Sequence, residues 1–197
     1  MSKTFVLMGC GGHARSVADA ILSDHAGARI IFVDGNARPG EKILGFDAVK
    51  SLADENAVLI PAAGDNARRK DECLGIKMTS YVSSAAHVGV CARIGNGCFV
   101  GIGAHVGPES FIGNGTIVNT NAVVEHNAEV GEFCHIAPNA TVCGGCAIGN
   151  LVLVGAGSVI KPYCKICSNV VIGAGTVVVK DITESGTYVG SPARKVA

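Results

Sequence analysis

Tryptophan is absent, and six Phe and three Tyr supply every aromatic ring in 197 residues. A core with so few rings has to be built from small and branched aliphatic side chains, which the 48% hydrophobic content provides. Charge is scarce as well: 16% of residues are charged, and 16 Lys+Arg balance 16 Asp+Glu. A neutral chain lacks the basic surface that phosphate backbones require, so nucleic acid is excluded as the main partner. No apolar run approaches the ~18 residues of a membrane span. The opening Phe5-Val6-Leu7-Met8 run stops at Gly9, too short for a secretory leader. Nine cysteines, an odd number, with no leader point to reduced thiols in the cytoplasm.

What is abundant is glycine, 27 of 197 residues, about twice the ordinary share. It is also periodic. Stepping by six from Val82 gives Val88, Ile94, Val100, Val106, Ile112, Val118, Val124, Val130, Ile136, Val142, Ile148, Val154, Ile160, Ile166, Ile172 and Val178, seventeen positions that are all Val or Ile. The residue after the aliphatic is Gly at nine of these steps. Two residues before it stands a small one, such as Ala92, Cys98, Ala104, Ser110, Thr116 or Ala122. A β-branched residue suits a short strand with one buried face, and the residue two before it shares that face. Gly after it suits a corner where a side chain would clash or φ must be positive. Such units cannot fold alone but stack into a parallel β-helix with coils of about 18 residues. Cys98, Cys134, Cys146 and Cys164 fall on the inward small positions and are read as core.

The first eighty residues follow β-α-β logic. Phe5–Met8, Ile30–Asp34 and Val58–Gly64 read as strands, Ser16–Leu22 and Ala67–Leu74 as helices. Ligands of such sheets bind beyond the carboxyl ends of the strands, here Gly9–His13, Asp34 and Gly64–Asn66. Gly9-x-Gly11-x-x-Ala14, with Asp34 twenty residues on, matches a dinucleotide fingerprint. One nucleotide-sized ligand suits so short a segment better than NAD.

Of the six histidines, His25 lies in a polar loop, and His87 and His105 are 18 apart and stack on one edge. His126 is different: Asn119, Glu125 and His126 interrupt the regular repeat, and sites often break local rules. His135, nine residues on, falls half a coil away, on another face of the same chain. The His spacings do not match a three-histidine zinc site of the hexapeptide-helix hydratase kind.

The chain resembles the hexapeptide-repeat acyltransferases over residues 82–180. As a whole it resembles bacterial nucleotide-sugar N-acetyltransferases of the PglD/PerB type and the related sialic-acid acetyltransferases of the NeuD type. The residues that carry this are Gly11-Gly12-His13, Asp34, Gly64-Asp65-Asn66, Val124-Glu125-His126, Gly131 to His135 and the tail Val189 to Arg194. The resemblance implies an α/β Rossmann-like subdomain over residues 1–80 and a left-handed parallel β-helix over 81–197. It also implies a cytoplasmic homotrimer with acetyl-CoA between subunits. The implied reaction is acetyl transfer from acetyl-CoA to the 4-amino group of a nucleotide-linked 4-amino-4,6-dideoxy sugar, within bacterial surface glycan synthesis. His126 matches the general base. The position after it, an acid in the family, is Asn127, with Glu125 as a weaker candidate partner. His135, Ala156 and Ala174 match the coenzyme contacts, and Gly11, Gly12, His13, Asp34 and Gly64 the nucleotide-sugar contacts. No metal is implied. The runner-up is a sialic-acid-type O-acetyltransferase, and the reading of another class is a non-enzymatic NAD-binding regulatory module.

Overall fold

The computed structural model describes residues 3–52 and 59–196. Val58, which the apolar pattern places in the third strand, lies outside them. The N-terminal region contains β1 (Thr4–Met8), α1 (Gly12–Asp24), β2 (Arg29–Val33), β3 (Lys42–Ile43), β4 (Phe46–Val49), β5 (Ile60–Pro61) and α2 (Asn66–Glu72). The sheet order is β3-β4-β2-β1-β5, parallel except for the β3–β4 hairpin. Helix α1 begins at Gly12, earlier than its apolar face suggests, so Gly12 and His13 occupy its first turn. Gly9 has φ +117°, and a Cβ there would sit 3.2 Å from the Ala62 carbonyl carbon, so the turn that joins β1 to α1 needs glycine.

The rest of the chain is the parallel β-helix that the six-residue period predicts. Strands two residues long stack at a spacing of 18: His105–Val106 pairs with His87–Val88 below and Val123–Val124 above. The result is three ladders of six, five and eight strands, one per face. The periodic aliphatics fill the core, with Val106, Ile112, Val118, Val124 and Val130 all fully buried. The small inward residues add polar rungs. Cys98 Sγ donates to the Gly113 carbonyl at 3.1 Å, Thr116 Oγ1 to Gly131 at 2.8 Å and Ser158 Oγ to Gly173 at 2.7 Å. Burial pushes the Cys98, Cys134 and Cys146 thiols up to about 11, which suits inert core residues rather than nucleophiles.

The corner glycines owe their place to close approach. A Cβ on Gly107 would lie 2.6 Å from the His126 amide nitrogen, and one on Gly113 2.6 Å from the Gly131 carbonyl carbon. Positive φ comes two residues later, at Glu109, Gly115, Asn121, Asn127 and Phe133 among others. The two regions share a core, since the cluster around Leu7, Ile21 and Phe32 continues into Tyr81, Phe99 and Ile117 on one face of the coil. Asp24, at the end of α1, accepts the Tyr81 hydroxyl at 2.7 Å and the Ser84 hydroxyl at 2.6 Å.

Candidate active site

Three groups of side chains bring the candidate residues together. The first lies at the corner after the strand Val123–Val124. The left-handed turn at Asn127 (φ +56°) sends its side chain back beside the His126 ring. Asn127 Oδ1 lies 3.0 Å from His126 Nδ1, and Asn127 Nδ2 donates to Glu109 Oε2 at 2.8 Å. Among the described residues Glu125, the weaker candidate, hydrogen-bonds only to backbone: its Oε2 accepts the His126 N–H at 3.3 Å. The ring rests on Gly144, where a Cβ would come within 2.6 Å of both Cε1 and Nε2. Among the described residues His126 Nε2 has no hydrogen-bond partner. The imidazole is exposed, held by one nitrogen and open at the other, an arrangement that could accept a proton.

The second group lies where α2 meets the coil. Arg69, 1% exposed, spreads its guanidinium over backbone oxygens. It donates to Ala63 at 2.9 Å, Gly115 at 2.6 Å and Cys134 at 2.9 Å, and to Asn66 Oδ1 at 2.8 Å. One buried cation thus ties the Gly64 loop to the residue before His135. His135 Nδ1 lies 3.2 Å from the Gly64 carbonyl, an acceptor, so Nδ1 carries the hydrogen and Nε2 accepts from Asn119 Nδ2 at 3.0 Å. Asn119, one of the residues that interrupts the repeat, is thereby explained. The His13 ring packs edge-on to Phe99, with centroids 5.2 Å apart, and lies 5.8 Å from the His135 ring. Its Nε2 is buried without a partner. Above the group opens a cleft of about 450 Å³ lined by Gly64, Asp65, Asn66, His135, Leu153 and Asn169 among others.

Both of these histidines are held neutral. Burial lowers His13 to about 3, helped by His135 and Arg69, and burial with Arg69 lowers His135 to about 4. In the unfolded chain both protonate below about 6.5. Between the two sets of values the unfolded state therefore binds more protons. The stability that depends on the neutral rings is complete above about pH 6.5 and is lost as pH falls toward the folded values. We expect the free energy of unfolding, read from urea titrations, to drop between about pH 6.5 and about pH 5 by up to about 1.4 kcal/mol per pH unit per histidine. A flat profile there contradicts the buried neutral assignment.

The third group lies at the ends of β1 and β2. Asp34 Oδ2 takes the Cys10 N–H at 3.2 Å and Arg68 at 2.8 Å, and Oδ1 takes the Asn36 N–H at 3.0 Å. Burial pushes this carboxyl up, but the Asn36, Arg68 and Cys10 donors outweigh it and hold Asp34 below the usual carboxylate range. Gly11 and Gly12 face open space, since a Cβ on either meets nothing within 4 Å. Gly11 caps α1 without a side chain, so no side-chain acceptor takes the first-turn N–H groups.

The structure thus gathers Gly64, His13 and His135, and separately His126, Asn127 and Glu125. Ala156 and Ala174 are exposed one coil apart on a further corner, with the Ala156 carbonyl accepting the Gly175 N–H at 2.9 Å. His126 and His135 stand on different edges of the chain, as their half-coil separation predicts. Sequence reasoning missed Glu109, Gly144 and Arg69. The first two sit 18 residues before Asn127 and after His126, one coil away, so the repeat itself holds the signal. Among the described residues no group of three His, Cys, Asp or Glu could hold a metal ion. No helix among them is long and apolar enough to cross a membrane.

Comparison with known proteins agrees with this architecture. The family described as the PglD N-terminal domain matches residues 4–72, and the bacterial transferase hexapeptide family matches 109–144 and 127–162. No curated protein matches the chain in sequence. Among solved structures, the acetyltransferase domain of PglB from Neisseria gonorrhoeae, in complex with acetyl coenzyme A, is 31% identical. It covers 100% of both chains with a TM-score of 0.88. PerB from Caulobacter crescentus, in complex with CoA and GDP-perosamine, is 28% identical over 100% of this chain and 98% of its own, with a TM-score of 0.86. WeeI from Acinetobacter baumannii shares the fold at 21% identity and a TM-score of 0.88, over 98% of this chain and 100% of its own.

Proposed function

Because this chain belongs to the PglD/PerB-type nucleotide-sugar N-acetyltransferases, we propose that it moves the acetyl group of acetyl-CoA onto the 4-amino group of a nucleotide-linked 4-amino-4,6-dideoxyhexose. One observation carries the mechanism: His126 is held at Nδ1 by Asn127 while its Nε2 lies free over Gly144. A sugar ammonium cannot attack a thioester until it loses a proton. That proton leaves to solvent, and as the neutral amine nitrogen bonds to the thioester carbonyl carbon, His126 Nε2 accepts a second proton from it. The carbon–sulfur bond then breaks, and His126 returns the proton to the departing thiolate. The products are the amide, the free thiol and the one proton released to solvent, with no covalent enzyme intermediate.

His135 is a poor base in comparison, because both ring nitrogens are engaged and burial opposes its charged form. Its role is contact with the coenzyme beside Ala156 and Ala174. The open glycines at Gly11 and Gly12, the α1 N-terminus, Asp34 and Gly64 suit the nucleotide diphosphate. In this division residues 1–80 hold the nucleotide sugar and residues 81–197 the coenzyme. His126 and the His135 cleft lie on different edges of one chain, so a site that uses both is completed by another copy, in a homotrimer. The reaction then belongs in the cytoplasm, ahead of bacterial surface-glycan assembly.

Mass spectrometry of reactions containing acetyl-CoA and UDP-, dTDP- or GDP-linked 4-amino-4,6-dideoxyhexoses tests the reading. One nucleotide series gains a single amide-linked acetyl group if it holds. Turnover confined to a hydroxyl acceptor such as sialic acid overturns the amine assignment.

A further inference from the structure

We propose that Glu109 is a positioning residue for His126: acting across Asn127, it decides which imidazole nitrogen is free to take a proton. This rests on the reading of His126 as the base, and it concerns a place where the chain departs from its family, which the resemblance gives an acid at position 127.

Residues 109 and 127 occupy the same corner of successive coils, and both take left-handed backbone, with φ +59° and +56°. Their side chains are therefore stacked, and the coil register joins them: the Asn127 N–H donates to the Pro108 carbonyl at 3.1 Å. Asn127 Nδ2 lies 2.8 Å from Glu109 Oε2. A carboxylate has no hydrogen to give, so the amide must turn its nitrogen toward Glu109. Its oxygen is then the atom 3.0 Å from His126 Nδ1. An amide oxygen only accepts, so Nδ1 carries the hydrogen of the neutral ring, and the lone pair sits on Nε2.

The consequence is a relay of orientation with no proton moved along it. The carboxylate fixes the amide, and the amide fixes the tautomer. Without Glu109 the two ends of the Asn127 amide are nearly interchangeable, because oxygen and NH₂ are alike in size. A turned amide would offer N–H to Nδ1 and favour the Nε2–H tautomer, which is also the commoner form of histidine in water. That tautomer has no lone pair on the nitrogen over Gly144. The carboxylate thus acts from one coil back, with Asn127 as the link.

The test uses the full-length protein and the variants Glu109→Gly, Glu109→Gln and Asn127→Asp. Glycine is at ease at φ +59°, so Glu109→Gly removes the carboxylate without straining the corner, and an unchanged urea midpoint checks this. Nitrogen-15 NMR of histidine-labelled protein reads the tautomer directly, with the His126 signal assigned by its loss in His126→Ala. The Nδ1–H form should dominate in the native protein and give way largely to Nε2–H in Glu109→Gly. Turnover of Glu109→Gly should fall roughly 10-fold or more with KM for acetyl-CoA unchanged, since a base held in the wrong tautomer loses catalysis while binding survives. Glu109→Gln should fall between the two proteins. Adding Asn127→Asp to Glu109→Gly restores an acceptor beside Nδ1 and should recover both signals. An unchanged tautomer in Glu109→Gly overturns the proposal, as does a rate loss that Asn127→Asp does not rescue. Should the tautomer shift while His126→Ala retains full turnover, the relay stands and the assignment of the base fails.

Discussion

Replacing His126 with alanine lowers turnover by about 100-fold or more, the usual contribution of a positioned general base. KM for acetyl-CoA should stay close to the native value, because the proposed mechanism places the imidazole at the acceptor nitrogen rather than at the coenzyme. The fold is unaffected, since the side chain is exposed and its backbone hydrogen bonds remain. A companion substitution separates the presence of the ring from its placement. Gly144→Ala keeps His126 but puts a methyl group 2.6 Å from its Cε1 and Nε2. Gly144 has no left-handed φ, so alanine fits the backbone and it is the ring that must move. A displacement of about 1 Å costs on the order of 10- to 100-fold in rate. Steady-state kinetics on both variants checks the pair, and native turnover in both removes His126 from the reaction.

The second large effect is on stability. Arg69→Met keeps the length of the side chain and its apolar stem but removes every donor. The Ala63, Gly115 and Cys134 carbonyls and the Asn66 side chain all lose a partner in a site that is 1% exposed. The Cys134 carbonyl keeps the Ile117 N–H, but the Ala63 and Gly115 carbonyls are left stranded at about 1–3 kcal/mol each, so a loss of about 3 kcal/mol or more is expected from urea unfolding. Burial already lowers this guanidinium to about 10 and the bonds to carbonyls hold it in place. The effect should extend to function, because Gly64 and His135 are set by the carbonyls that Arg69 grips. A loss below about 1 kcal/mol would mean that the shared apolar core alone joins the two regions.

The coil was legible because stacking imposes one rule at every step. A β-branched residue at each sixth position has a strand to fill, and the glycine after it cannot gain a Cβ without striking the next coil. β1 and β2 were legible as apolar runs ended by turn residues. The β3–β4 hairpin was not, since Lys42–Ile43 and Phe46–Val49 are too short to show a period. Arg69 was hidden by its company: Arg68-Arg69-Lys70-Asp71-Glu72 reads as a uniformly charged stretch, and nothing local marks the one side chain that turns inward. Along the chain, the nearest acid to His126 is Glu125. In a coil the operative neighbours stand 18 residues away, and Glu109 and Gly144 become visible only when the register of the repeat is read across rather than along the chain.

The central claim is that the reaction takes place at His126 Nε2. A crystal structure with CoA and an unreacted nucleotide-linked 4-amino sugar measures this most directly. The sugar amine should lie within roughly 3 Å of His126 Nε2 and the coenzyme sulfur at the same corner, with the nucleotide held by the N-terminal region. An amine and a sulfur lodged together beside another side chain, with His126 open to solvent, would contradict it.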